Sequence, residues 1–313
     1  MKLIINIPCY NEEKTLPLVL KEIPRKIPGI SAIEVQIVDD GSTDKTVEVA
    51  RKFGCHIITH KQNLGLGVAF AHGIEAALNR GCDIFVNTDG DNQYPSGYIK
   101  YLVKPILDGS SDIVIGNRTP WKVKYFSPLK RTIQFFGNML ARNIASSDVP
   151  DMVSGFRAYN KESLLKLNVT TKFSYVIDTI AQASKKGLKI ISVDIRTNAP
   201  TRKSRLSKNL FQHMKKSFAN IVQLYITYEP FKTFLFLSMI FIVPGVILVA
   251  RFLWYYFHEV DSGHIQSLII AAIGFILGAI LFSLGVIAEL IRTNRRLIEE
   301  QLYLKKKELY KRK

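Results

Sequence analysis

The sequence predicts an α/β fold: a doubly wound, mostly parallel sheet followed by a two-helix transmembrane hairpin. Three observations lead there. Short apolar runs alternate with helical patterns through the first two thirds of the chain. Acidic and polar clusters follow directly after those runs. Two long uncharged stretches then come close together near the C-terminus.

The elements can be taken in order. Leu3-Ile4-Ile5-Asn6-Ile7 reads as a strand covered on both faces. It is too short for the apolar region of a signal peptide, and Pro8 interrupts it. Asn11-Glu12-Glu13 leads into a helical pattern. Glu34 to Val38 is the second strand, ended by Asp39-Asp40-Gly41-Ser42. Ser42 or Thr43 suits the cap of a helix from Asp44 to Phe53. His56 to Thr59 is a third strand, Gly67 to Asn79 a helix, Asp83 to Asn87 a fourth strand and Asp112 to Gly116 a fifth. Strands alternating with helices imply parallel pairing. In such sheets ligands bind beyond the carboxyl ends of the strands. Tyr10-Asn11-Glu12, Asp39-Asp40, Asp89-Gly90-Asp91 and Asn117-Arg118 all fall at those ends, so they are expected to converge on one edge.

Thr233 to Ala250 carries no charge, and the apolar run continues past Arg251 to Phe257. Ile265 to Ala288 is also uncharged. About 20 apolar residues suffice to span a membrane as a helix. Buried helices of a soluble protein would show a polar stripe, and Pro244 is tolerated in a membrane helix. The loop from His258 to His264 has no Lys or Arg, whereas both flanks are rich in them. The positive-inside rule therefore puts the loop outside and both longer segments in the cytoplasm. Trp254, Tyr255 and Tyr256 suit the outer interface. The expected organisation is a soluble domain over 1–207, an amphipathic juxtamembrane segment over 208–230, spans over 231–257 and 265–291, and a basic cytoplasmic tail over 292–313.

The formal net charge of +17 calls for an anionic partner. The basic residues cluster at Arg202, Lys203, Arg205, Lys208, Lys215 and Lys216, and again in the tail, on both sides of the apolar runs. That placement favours an anionic membrane surface over nucleic acid. The charged tail could also pair copies of the chain in a homo-oligomer. Cys9, Cys55 and Cys82 are odd in number and lack a CxxC spacing, which fits a reducing compartment.

Asp89 and Asp91 place two carboxylates in a turn after a strand, a hard-oxygen set for Mg2+ or Mn2+. Gln93 could add a neutral oxygen, and Gly90 permits close approach of a ligand. Asp40 can accept hydrogen bonds from a nucleobase or ribose. Asn63-Leu64-Gly65-Leu66-Gly67 lacks phosphate-loop spacing and reads as backbone fitting.

Ile7-Pro8-Cys9-Tyr10-Asn11-Glu12, Val38 to Asp44, Asp89 to Pro95, Gly116-Asn117-Arg118 and Ser154-Gly155-Phe156-Arg157 resemble the motif series of family 2 inverting glycosyltransferases of GT-A fold. Among these the chain is similar to the polyprenyl-phosphate glycosyltransferases, the group of dolichol-phosphate mannose synthase. The resemblance covers about residues 3 to 206. It implies that Pro8, Tyr10, Glu12, Val38 and Asp40 line a nucleoside pocket. Asp89, Gly90 and Asp91 would meet the donor diphosphate, with Asp91 and Gln93 as metal ligands. Arg118 and Arg131 would grip the acceptor lipid phosphate, and Arg202 would reach the donor diphosphate. The segment from Thr201 to Leu206 is shorter than the pattern of the mannose synthases and lacks a glycine before its serine. Asp178 stands where a glutamate is expected.

The resemblance implies transfer of a sugar from GDP-mannose or a UDP-hexose to a polyprenyl phosphate, with inversion at the anomeric carbon. An acceptor phosphate is mostly a dianion near neutral pH, so it would need no catalytic base. The rivals are a processive polysaccharide synthase of the same superfamily and a non-catalytic membrane scaffold. The Gln-x-x-Arg-Trp acceptor motif of the processive enzymes is absent around both Trp121 and Trp254. Intact Asp89, Asp91 and Arg118 argue against the scaffold.

Overall fold

The structure, a computed structural model, describes residues 1–119, 142, 149–169, 175–199, 222–223, 225–258 and 265–311. Arg131, Arg202, Trp121, the basic stretch from 202 to 216 and the loop from 259 to 264 lie outside the described residues. The chain divides into two compact units, one of residues 1–213 with 299–313 and one of residues 214–298.

The first unit is built on a seven-stranded sheet of order β3-β2-β1-β4-β6-β5-β7. Its strands are β1 (Lys2–Cys9), β2 (Ala32–Asp39), β3 (His56–Thr59), β4 (Ile84–Asn87), β5 (Ile113–Asn117), β6 (Arg157–Asn160) and β7 (Ile190–Asp194). β1 pairs in parallel with both β2 and β4, β2 with β3, and β5 with β7. β6 runs antiparallel between β4 and β5. Among the described residues between 1 and 213 its helices are α1 (Leu16–Glu22), α2 (Thr46–Lys52), α3 (Leu66–Asn79), α4 (Ile99–Leu107), α5 (Lys161–Lys166) and α6 (Val176–Lys185). The sheet is therefore α/β and mostly parallel, as the alternating pattern predicts.

Leu3, Ile5, Ile7 and Cys9 of β1 pack with Ile84 and Val86 of β4, Leu16 and Val19 of α1, and Leu102 and Val103 of α4. Side chains alternate along a strand, so the intervening residues pack on the other face. There Phe70 of α3 stacks on Tyr175 at 3.7 Å between ring centroids and meets Phe85 and Tyr159 edge-on or tilted. With both faces covered, β1 is buried almost throughout.

One row of this second face is polar. In register across β2, β1, β4 and β6 stand Gln36, Asn6, Asn87 and Arg157, all fully buried. Gln36 Nε2 donates to Asn6 Oδ1 (2.8 Å), and Asn6 Nδ2 donates to Asn87 Oδ1 (2.7 Å). Asn87 Nδ2 donates to Tyr175 Oη (2.8 Å) and to the Gly155 carbonyl (3.2 Å). Buried amides are costly unless paired, and here the amides of Asn6 and Asn87 are bonded at both ends, while the Gln36 amide nitrogen also donates to the Gly73 carbonyl (2.7 Å).

The segment after α6 ends in β7, and the start of α2 differs in detail from expectation. Asp44 Oδ1, not Ser42 or Thr43, accepts from the Thr46 amide at the head of α2 (3.0 Å). The Ser42 hydroxyl is taken by the Asn11 amide (2.9 Å).

The apolar stretches form α7 (Pro230–Phe257) and α8 (Ile265–Lys311), both long and apolar enough to cross a membrane. α7 passes through Pro244 without a break. Within the second unit they meet as an antiparallel pair along small residues. A Cβ on Gly278 would lie 2.5 Å from Ile242 Cγ1, one on Gly274 3.0 Å from the Phe241 carbonyl, and one on Gly285 3.0 Å from Phe234 Cβ. Ser238 Oγ donates to the Gly278 carbonyl (2.8 Å). Small residues let backbones approach where apolar burial against lipid gives no drive.

The segment read as a basic tail continues α8. Its end belongs to the first unit. There Glu299 pairs with Lys186 (2.7 Å), and Lys306 Nζ donates to the Leu167 carbonyl (3.0 Å) and to Asn168 Oδ1 (2.8 Å). Burial lowers the pKa of Lys306. Part of the tail's basic charge is thus committed to protein oxygens.

Gly73 of α3 faces the polar row. A Cβ there would fall 2.9 Å from Asn6 Cγ, and Asn6 is held at both ends of its amide and cannot swing aside. Gly73→Ala is expected to destabilise the sheet unit by about 1–3 kcal/mol, the usual cost of overpacking a core. A lowered melting midpoint by circular dichroism would check this.

Candidate active site

β1, β2, β4 and β5 all point their carboxyl ends to one edge, and antiparallel β6 brings its beginning there. The strand ends and loops at that edge hold those sequence-predicted residues that are described. Among the described residues the non-glycine positions with left-handed backbone are Asn11 (φ +54°), Asn92 (φ +59°) and Thr119 (φ +48°). They lie just after β1, β4 and β5. Strain of this kind gathers at functional edges.

The β1 and β2 loops interlock. The Asp40 amide donates to the Cys9 carbonyl (2.8 Å), the Glu12 amide to Thr46 Oγ1 (2.8 Å), and the Thr43 amide to Asn11 Oδ1 (2.8 Å). Tyr10 is exposed at this edge, whereas Pro8, Val38 and Glu12 are covered. Thr15 Oγ1 donates to Glu12 Oε2 (2.7 Å).

Asp40 is more committed than its sequence position suggests. Its Oδ1 meets His60 Nδ1 (2.8 Å) and accepts from the Leu64 amide (2.8 Å), while Oδ2 accepts from the Gly65 amide (2.9 Å). Gly65 takes φ +99°, the backbone fitting read from the glycines there. A carboxylate offers about four lone-pair sites, so Asp40 shapes the loop from His60 to Gly65 and keeps little capacity for a ligand.

Asp89, Gly90 and Asp91 follow β4. Gly90 fits against β1: a Cβ would meet Cys9 Sγ at 2.9 Å and Glu12 Cγ at 3.4 Å. Gly155 fits against Asp89 in the same way, with its carboxylate oxygens 3.1 and 3.2 Å from a Cβ. Asp91 Oδ1 accepts from the Gln93 amide (3.0 Å), a side-chain turn that fixes its carboxylate. Burial first, and the Asp91 charge second, raise the Asp89 carboxyl from 3.8 to about 7. Arg118 and Arg157 oppose this shift, and Glu12 adds to it. The carboxylates of Asp89, Asp91 and Glu12 thus lie within electrostatic reach of one another and of both arginines.

A divalent cation would fit this cluster of carboxylates. The donors are carboxylates and an amide oxygen, without thiolate or imidazole, which suits Mg2+ or Mn2+. Among the described residues no group of three or more His, Cys, Asp or Glu could hold a metal. A cation at this turn would take only a partial shell from the protein. Mg2+ is commonly held so, by one or two carboxylates together with substrate phosphates.

Arg118 brings a partner that sequence reading missed. Nε and Nη2 grip Asp151 Oδ2 and Oδ1 at 2.7 and 2.9 Å, and both residues are buried. Nη1 reaches Tyr94 Oη at 3.5 Å. Burial opposes the guanidinium charge, but Tyr94, Asp151 and Asp89 outweigh it and raise the pKa. The two-pronged face of Arg118 is thus closed by Asp151. Tyr94 Oη also accepts from the Gly155 amide (3.3 Å), and burial pushes its pKa up to about 12. Nothing in the local pattern marks Asp151, which lies 33 residues from Arg118.

The glycosyl transferase family 2 model matches residues 4–167. The chain belongs to this family. It is a glycosyltransferase of GT-A fold. An uncharacterized protein of Methanocaldococcus jannaschii is 34% identical over 201 residues, which are 63% of this chain and 81% of that protein. The polyprenol monophosphomannose synthase of Mycolicibacterium smegmatis is 26% identical over 204 residues, 61% of this chain and 76% of the relative. Among solved structures, glucosyl-3-phosphoglycerate synthase of Mycobacterium tuberculosis with Mn2+, uridine diphosphate and phosphoglyceric acid aligns with a TM-score of 0.57. It covers 71% of this chain and 78% of that one at 22% identity, a likeness of fold.

Asp151→Ala would leave the Arg118 charge buried and unpaired. It is expected to cost the sheet unit about 3–5 kcal/mol. Chemical denaturation followed by tryptophan-independent circular dichroism would check it, and an unchanged midpoint would show that the pair carries no such load.

Proposed function

We propose that this chain transfers a sugar, with inversion and metal dependence, from a nucleotide-sugar (GDP-mannose or a UDP-hexose) to a polyprenyl phosphate at the cytoplasmic membrane face. The observation that carries the reading is the Asp89–Asp91 turn, two carboxylates one residue apart just after β4, with Asp91 fixed by the Gln93 amide and Gly90 seated against Cys9. The name of the mycobacterial synthase supports the lipid-phosphate acceptor. The Mn2+ and uridine diphosphate of the solved neighbour support a metal-bound nucleotide. Two helices of membrane-crossing length support an anchored enzyme. In this proposal residues 1–207 are the catalytic domain, 208–230 lie along an anionic membrane surface, and 231–257 and 265–291 are the spans. The lack of Lys and Arg in the loop from His258 to His264 supports cytoplasmic placement of both longer segments.

Asp89, Asp91 and Gln93 would hold Mg2+ or Mn2+, which when bound neutralises charge on the donor diphosphate. Tyr10 would flank the nucleoside beside Pro8, Glu12 and Val38. Asp40 would act there through the loop from His60 to Gly65 that it holds. Arg118 and Arg131 would hold the acceptor phosphate, and Arg202 the departing diphosphate. With Asp151 occupying the fork of Arg118, the Nη1 arm beside Tyr94 is the one that faces the acceptor in this reading. Near pH 7 a phosphate monoester is mostly a dianion. Its oxygen attacks the anomeric carbon without losing a proton, a new C–O bond forms as the bond to the nucleoside diphosphate breaks, and the configuration inverts. Catalysis then rests on alignment and charge stabilisation.

Membranes containing the protein are expected to move label from one of a panel of radiolabelled nucleotide-sugars into an acid-labile lipid. Asp91→Ala should lower this transfer by about 10²–10³. Wild-type turnover by that variant would sink the metal assignment. Label in no lipid from any donor would sink the acceptor.

A further inference from the structure

The segment that leaves β7 crosses the site. β7 is the edge strand, and the chain turns back from it over the carboxyl end of β5 toward the turn after β4. The Ile195 amide donates to the Asn117 carbonyl (2.9 Å), and the Ile195 side chain is buried against Gly116, where a Cβ would lie 2.8 Å from Cδ1. Three residues on, the Asn198 amide donates to the Gln93 carbonyl (3.0 Å), and Asn198 Nδ2 donates to the Asn92 carbonyl (3.0 Å). Residues 195–198 therefore staple the β5 end, which carries Arg118, to the β4 turn, which carries Asp91.

We propose that Asn198 is a positioning residue that holds the Asp91-Asn92-Gln93 turn in its metal-binding shape. This rests on the metal role of Asp91 given above. Asn92 sits at φ +59°, a left-handed conformation that asparagine tolerates, so the turn's shape is fixed by the partners its carbonyls find. Inside the turn, a bond from the Gln93 amide to Asp91 Oδ1 fixes the carboxylate. Outside it, Asn198 takes up the carbonyls of the two residues that follow Asp91. A carbonyl can only accept, so the Asn198 amide must present its nitrogen there. Loss of that donor frees the Asn92 peptide to rotate, and Asp91 and Gln93 turn with it. Groups that orient metal ligands in this way typically alter metal affinity by about 10- to 100-fold when removed.

The test uses the full-length protein in detergent, with Asn198→Ala and the near-isosteric Asn198→Leu. Mn2+ alone is titrated by electron paramagnetic resonance, and amide hydrogen exchange across residues 91–95 is followed in metal-free protein. Both variants are expected to raise the Mn2+ dissociation constant about tenfold and to speed exchange across the turn, with the melting midpoint unchanged. Unchanged Mn2+ affinity and unchanged exchange in both variants would overturn the proposal. So would a fall in melting midpoint that tracks the loss of affinity, because it marks a merely structural role. Asp91→Ala separates the two readings: Mn2+ binding at the wild-type level in that variant overturns the metal assignment itself, whatever exchange shows at the turn.

Discussion

The hydrogen-bonded row of Gln36, Asn6 and Asn87 is the constraint on which the rest depends. A sheet covered on both faces by apolar residues has weak reasons to prefer one strand register, because neighbouring apolar side chains substitute for one another. Buried amides do not. Each can be satisfied only when its partner stands opposite, and a slip leaves donors unpaired at about 1–3 kcal/mol each. The row therefore ties β2, β1 and β4 in a single alignment and makes their ends coincide. Its last member, Asn87, reaches the Gly155 carbonyl and Tyr175, which brings the beginning of β6 to the same edge.

Coinciding ends then set the electrostatics. Half-buried Asp89 and Asp91 are gathered beside buried Glu12, and burial together with the Asp91 charge raises the Asp89 carboxyl to about 7. Two arginines stand near, but they differ in what they offer. Arg118 is paired with Asp151 (2.7 Å). Arg157 is fully buried and donates to the carbonyls of Met152, Ser154 and Val176 and to the Thr179 hydroxyl. Those acceptors are neutral, so they hold the guanidinium without cancelling its charge. Its field lowers the Asp89 pKa without any direct bond.

Much of this edge was legible in the sequence because local patterns encode it. Apolar runs such as Ile84 to Val86 and the acidic residues that follow them need no tertiary knowledge to be placed at strand ends. What escaped was set by distance. β6 is a four-residue strand that begins with a buried arginine, so it shows neither an apolar run nor alternation. Its antiparallel insertion between β4 and β5 depends on pairings between residues far apart in the chain, such as those of Arg157 with Asn87 and with Ile115. Asp151 and Asn198 are ordinary polar residues in ordinary surroundings until the fold lays them against Arg118 and Asn92. The end of α8 escaped for a different reason. Its charges suggest solvent or a membrane, yet Lys306 satisfies a carbonyl and an amide oxygen left over at the end of α5.

The Asp151 pair changes how the proposed acceptor would be held. A free arginine gives a phosphate two parallel bonds and a full charge. Arg118 gives neither, since both prongs and much of its charge are spent. What remains is a fixed Nη1 arm whose position cannot drift, because Asp151 is itself fully buried. That arrangement trades attraction for direction. It is unsuited to capturing a dianion from solvent, where long-range charge governs encounter. It is suited to aiming one that a membrane surface already supplies at high local concentration. A lipid-borne phosphate needs orientation more than capture, and a tethered guanidinium beside a carboxylate-rich turn meets that need.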